Sequence, residues 1–269
     1  MGPHNTWFEF LPGYGNLRDF LQQALGRGWT WQMFKATHFG IDHILATLLV
    51  LAFLAFGASR YAVAVGGSGD AGLVPPPRFG LRNLFEMLGD AILNLMESVM
   101  GEKDARRFLP LIGTMFFFIL FSNLLALIPG FIPPTDTLKT NLALSGLIFL
   151  ATHVLGVRAH GIKYFKHFLG PNLPMPKKLV PSGEFPVLFP LMLPIELVSH
   201  IARPVSLAMR LLGNISADHA VVLAFFGVIP FLVPVPFLVM GVFVSVVQAV
   251  VFSLLSAVYI GTAVAHDEH

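Results

Sequence analysis

Glu196, His200, Arg203, Arg210, Asn214, Asp218 and His219 crowd one stretch that is otherwise rich in Leu, Val and Ala. An ionisable group at the centre of a bilayer costs about 2.5 to 3.5 kcal/mol on insertion scales, so such a cluster reads as a functional site. On a helix the seven-residue steps Glu196, Arg203 and Arg210 drift only about 20° each and share a face, which Asn214 joins one turn later. His219 follows Arg210 by nine residues and points about 180° away. Arginine stays protonated, whereas histidine or a carboxylate exchanges protons near neutral pH, so the pairing suits a device that moves protons past a fixed cation. The same residues also fit two other readings. One is an anion site at the midplane of a secondary transporter, and the other is a purely structural arginine that snorkels or pairs with Glu196.

The elements that must position these residues are membrane helices. Of the 269 residues 55% are hydrophobic and only 12% charged, with a mean hydropathy of +0.73. An ordinary soluble domain has about 25% charged residues, so a water-soluble globule is excluded. No charge occurs over Ile44–Ser59, Phe108–Thr135, Thr140–Val157 or Ala220–Ala265, and about 20 apolar residues suffice to span a bilayer. The reading is an all-α integral membrane protein, a single membrane domain with about five membrane segments and one amphipathic helix. An N-terminal extracytoplasmic segment covers 1–37, span 1 covers 38–62, the amphipathic helix 80–100, span 2 108–132 and span 3 140–158. A long tilted helix over 185–229 and a final helix over 235–265 form a hairpin. The stretch 194–229 alone would be about 54 Å long as a helix, against a hydrocarbon core of about 30 Å, so it must tilt or kink at Pro204.

In the amphipathic helix, Leu81, Leu84, Phe85, Leu88, Ile92, Leu95, Met96 and Val99 form one stripe and Arg82, Glu86, Asp90, Asn94 and Glu97 the other. That pattern suits a helix lying on the membrane or packing its polar stripe against protein. Basic residues gather between spans 1 and 2 and after span 3, while the turn between spans 2 and 3 carries only Lys139. The positive-inside rule then places the N-terminus outside and the C-terminus in the cytoplasm. No basic region followed by a short apolar run and a cleavage site is visible, so the first span is expected to act as its own signal.

Other chemistries find little support. A net charge of +2 gives no case for nucleic acid, and the absence of cysteine excludes disulfides and thiolate-bound metals. His43, His153 and His200 show no ligand spacing, so no metal is expected and each is read as a histidine satisfied by local hydrogen bonds. The stretch from Gly66 to Gly69 lacks the Gly-Lys-Ser/Thr ending of a phosphate loop, so nucleotide is not expected to bind this chain. Asn123 and Gln248 fit interhelical hydrogen bonding as well as channel lining.

The run from Arg203 through Pro204, Ser206 and Arg210 to Asn214 is similar to the signature of subunit a of F-type ATP synthases. Phe121 to Leu125, Pro134–Thr135, Asn141 to Leu144, the Pro234 and Pro236 hairpin, Gln248–Ala249 and Tyr259 to Gly261 extend the resemblance over roughly 35–265, closest to bacterial and chloroplast forms. It implies a non-catalytic, cofactor-free proton-translocating stator in the bacterial inner membrane. The implied partners are a ring of c subunits, the b subunits of the peripheral stalk and lipid. By the same resemblance Arg210 faces the ring between two half-channels and Glu196 serves the cytoplasmic one. His219, Asn214, Gln248, Asn123 and Asp42 line or support the outer one. Two positions depart from the family pattern: Ala126 stands where some members carry an acid, and Gly241 where others place the partner of position 219. Asp218 is expected to compensate.

Overall fold

The computed structural model describes residues 6–25, 41–66, 80–128, 130–161, 164, 173–174, 184–185, 189–226 and 234–265. After a 3₁₀ turn at Trp7–Phe10 come α1 (Tyr14–Leu25), α2 (Asp42–Gly66), α3 (Leu81–Met100) and α4 (Glu102–Leu125). A second 3₁₀ turn at Pro134–Asp136 leads to α5 (Leu138–His160), and α6 (Phe189–Phe226) and α7 (Pro234–Val264) complete the chain. Among the described residues the strand pairing is confined to β1 (Leu173–Pro174) and β2 (Glu184–Phe185), two residues each, between α5 and α6.

The chain is an all-α integral membrane protein. Among the described residues four helices are long and apolar enough to cross a bilayer, over Asp42–Val63, Glu102–Leu125, Leu138–His160 and Val235–Val264. The remaining expected segment is α6, at 38 residues the longest helix among the described residues. It runs unbroken through Pro194 and Pro204. At about 1.5 Å per residue it is about 57 Å long, so it cannot stand upright within a hydrocarbon core of about 30 Å.

Burial identifies α4 as the hub, because 61% of its span is buried against 17–28% for the other three. Phe108, Ile112, Phe116, Ile119 and Leu120 of α4 meet Ala249, Phe252, Ala257 and Ile260 of α7, with Leu207 and Leu211 of α6 and Ile148 of α5 completing the cluster. Lipid is as apolar as leucine and supplies no hydrophobic drive between helices, so close packing must hold them together. Small side chains serve that end: Ala208, Ala249, Ser253, Ser256 and Ala257 are all fully buried.

The amphipathic helix α3 packs its apolar stripe inward, burying Ile92 and Met96 against the same cluster. Gly57 of α2 makes room for the Phe85 ring, where an added Cβ would stand 2.9 Å away. Asp90 and Asn94 of the polar stripe are exposed, while Arg82 and Glu86 pair at 2.8 Å in partial burial. Gly101, at φ +80, turns the chain directly from α3 into α4. As a result α4 starts at Glu102, earlier than its apolar run, with Glu102 and Asp104 placed favourably in the first turn. It stops at Leu125, where successive tight turns from Asn123 to Phe131 replace the helical bonding ahead of the paired prolines.

Candidate functional site

Two faces of α6 set the geometry. Leu207, Ala208, Leu211 and Ile215 are buried against the bundle. Arg210 is exposed on the opposite side, among Ala202, Ser206, Met209, Gly213, Ala217 and Ala220. Apart from Met209 these neighbours are small, so a backbone from another helix can approach the guanidinium closely. Arg203 leaves the helix at nearly the same azimuth but ends differently, half-buried with its guanidinium 5.4 Å from the Tyr259 ring centroid of α7. The charged stripe expected to share one face is therefore divided between bundle and exterior. Glu196 and His219 are both on α6, and their side chains lie outside the described residues.

Toward the C-terminus of α6 a cavity of about 20 Å³ is lined by Asn214 and Asp218 of α6, Asn123 of α4 and Gln248 of α7, with Leu127 and Gly241 at its wall. That volume admits a water molecule and little more. Four side chains from the sequence-derived set thus come together from three helices. Asn123 is only 2% exposed. Its Oδ1 accepts a 2.9 Å hydrogen bond from Thr135 Oγ1, and Asn141 Nδ2 donates to the Thr135 carbonyl at 2.8 Å. Asn123 therefore serves as interhelical fastener and cavity wall at once, while its buried Nδ2 has no hydrogen-bond partner among the described residues. Ser216 Oγ donates to Asp136 at 3.0 Å, tying this end of α6 to the Pro134–Asp136 turn.

Gly241 has a specific steric reason. A Cβ built there would lie 2.5 Å from Leu127 Cδ2. Leu127 thus occupies the space that a larger residue at position 241 would take, and Asp218 and Gln248 supply the polar lining beside it. Ala126, the other departure from the family pattern, also borders this cavity.

A second cavity of about 20 Å³ lies toward the N-terminus of α6. His153 of α5, His200 and Arg203 of α6 and Tyr259 of α7 border it. The two imidazoles are 5.2 Å apart between centroids and nearly perpendicular, and the Tyr164 ring is 6.0 Å from His153. Burial pushes the Tyr164 phenol up, opposed by Arg203. In the sequence the two histidines show no ligand spacing. Nothing in a separation of 47 positions links them, and only the packing of α5 on α6 brings them together.

Asp42 stands apart from both cavities. At the first residue of α2 it accepts hydrogen bonds from Thr6 Oγ1 at 2.8 Å and Tyr14 OH at 2.9 Å. It thereby fastens the N-terminal segment, whose Trp7 N–H also reaches the Gly130 carbonyl at 3.1 Å. Burial and the bond to Asp42 push the Tyr14 phenol up to about 12.

Comparison with known proteins gives the chain a family. The family model described as ATP synthase A chain matches residues 41–261. ATP synthase subunit a 2 of Syntrophotalea carbinolica is 42% identical over 247 residues, 92% of this chain and 95% of that protein. ATP synthase subunit a of Bdellovibrio bacteriovorus is 42% identical over 224 residues, 83% and 92% of the two chains. That of Geobacter sulfurreducens is 44% identical over 181 residues, 67% and 73% of the two chains.

Proposed function

The chain belongs to the ATP synthase A chain family, and we propose that it conducts protons as the stator of the membrane sector, with Arg210 facing a rotating ring of c subunits. The observation that carries this reading is the disposition of two cavities about Arg210. One is bordered by Asn214 and Asp218, the other by His200, Arg203 and Leu207, and the exposed arginine lies between them along α6. A proton crossing directly from one to the other would have to pass a permanently charged guanidinium, which cannot relay it. The ring carboxylates supply the detour: each picks up a proton at one cavity, travels with the ring and releases it at the other.

On this reading Asn214, Asp218, Gln248 and Asn123 wet the outer half-channel, with His219 on the same stretch of helix. Glu196 serves the cytoplasmic half-channel. Asp42 supports the outer side through the N-terminal segment that it fastens. The small residues around Arg210 suit the close approach of a ring helix. The chain carries no covalent chemistry of its own, b subunits of the peripheral stalk hold it against rotation, and nucleotide is handled by other subunits. The N-terminus lies outside the bacterial inner membrane and the C-terminus in the cytoplasm, as the basic loops require.

The test is ATP-driven proton pumping by the whole complex in inverted membrane vesicles. Arg210→Ala abolishes pumping while the complex still assembles. Pumping near the wild-type rate in that variant would overturn the proposal.

A further inference from the structure

The cavity near the N-terminus of α6 is bordered by two histidines that have so far been given no role in proton transfer. His200 is only 8% exposed, and His153 on α5 approaches it to 5.2 Å between ring centroids. His153 Nδ1 lies 2.8 Å from the Phe149 carbonyl oxygen. A carbonyl only accepts, so Nδ1 carries the hydrogen of the neutral ring and Nε2 is the nitrogen that can take a proton. Pro204, which has no backbone N–H, also stands on the cavity wall.

We propose that His153 and His200 are a proton-carrying pair in the half-channel on the N-terminal side of Arg210. This rests on the proton-conducting reading and extends it to two named residues. Along α6, His200 stands ten residues, about 15 Å, before Arg210 and one turn after Glu196. It therefore occupies the interval that a proton must cross between the ring and the aqueous phase. In the transfer a hydronium ion gives up a proton and becomes water while an N–H bond forms at one imidazole, which becomes imidazolium; that bond then breaks as the second imidazole or another water takes the proton and the first ring returns to neutral. Among the described residues, the other titratable or charged groups facing the pair are Tyr164 beyond α5, Arg203 of α6 and Tyr259 of α7. Two alternatives fit less well. A cavity of about 20 Å³ admits water but not a phosphate group. No group of three or more His, Cys, Asp or Glu side chains that could hold a metal ion occurs among the described residues.

A ring that served only packing would be replaced without loss by phenylalanine, and this sets the test. The intact complex carrying His153→Phe, His200→Phe or the corresponding Gln substitutions is assayed for ATP-driven pumping in vesicles from pH 6 to 9, with Arg210→Ala alongside. All four histidine variants assemble, pump at least tenfold more slowly, show an altered pH profile and recover in part when imidazole is added to the medium. Wild-type rate and profile in the histidine variants, with Arg210→Ala inactive, overturns the pair and leaves the family reading standing. Slow pumping with an unchanged pH profile and no recovery by imidazole assigns the histidines a structural role and also overturns it. Normal pumping by Arg210→Ala removes the reading on which the pair rests.

Discussion

Leu127 and Gly241 offer a direct steric test of the cavity that holds Asp218. Gly241→Leu places a Cβ 2.5 Å from Leu127 Cδ2 and drives the rest of the side chain toward a space of about 20 Å³. Overpacking of this kind costs about 1–3 kcal/mol. It also removes the room a water molecule needs. If that cost falls on hydration of the proton path, transport drops by roughly five- to more than a hundredfold, at 1.4 kcal/mol per factor of ten. Leu127→Ala alone removes about three methylene equivalents from a half-buried site, roughly 1 kcal/mol, and leaves the cavity larger and wetter. The double variant restores the space and recovers most of the loss, because the two residues compete for the same volume and their effects are not additive. Pumping and passive proton flux through the membrane sector, compared across the four members of the cycle, measure that coupling. Normal flux in Gly241→Leu, or a double variant no faster than Gly241→Leu, would refute the steric argument.

Asn123→Ala deprives the buried Thr135 hydroxyl of its acceptor and lowers stability by about 1–3 kcal/mol, read as a lower thermal midpoint of the detergent-solubilised complex; an unchanged midpoint would show that the fastener carries no weight. Tyr14 links the N-terminal segment to alkaline pH. Its phenol is raised from 10 to about 12 in the folded chain, so its contribution is complete below pH 10 and is lost as pH rises through 12. Protease sensitivity of the segment around Trp7 should increase over that window, and Tyr14→Phe should abolish the pH dependence; the same rise in the Phe variant would place its cause elsewhere.

The helical segments and the Arg210 cluster were legible because each reports itself locally. An uncharged run of membrane length, or an arginine within an apolar helix, has a cost that does not depend on knowing its neighbours. The parts that were not legible depend on contacts distant in sequence. The division between Arg203 and Arg210 is one: a seven-residue spacing gives them similar azimuths, and it takes the Tyr259 ring of α7 to hold one of them inward. The histidine pair is another, since its members lie on different helices and each alone looks like an ordinary buried imidazole. Gly241 was visible as a departure from the family pattern, but its cause, Leu127, stands in a turn beyond α4 whose approach no periodicity encodes.

On the proposed reading, these contacts let one helix serve both sides of a proton path. In α6 the buried positions Leu207, Ala208, Leu211 and Ile215 fix the rotation of the helix against the bundle. That rotation leaves Arg210 exposed while Asn214 and Asp218, one and two turns on, border the cavity against α4 and α7. In the other direction Arg203 and His200 meet the second cavity against α5 and α7. From His200 to Asp218 the helix rises about 27 Å, so α6 borders both cavities with the arginine between them. The 38 residues of α6 are long enough to do so only because the helix continues through Pro204. Pro204, which has no N–H to give the helix, thus stands at a cavity wall beside His200 and not against lipid.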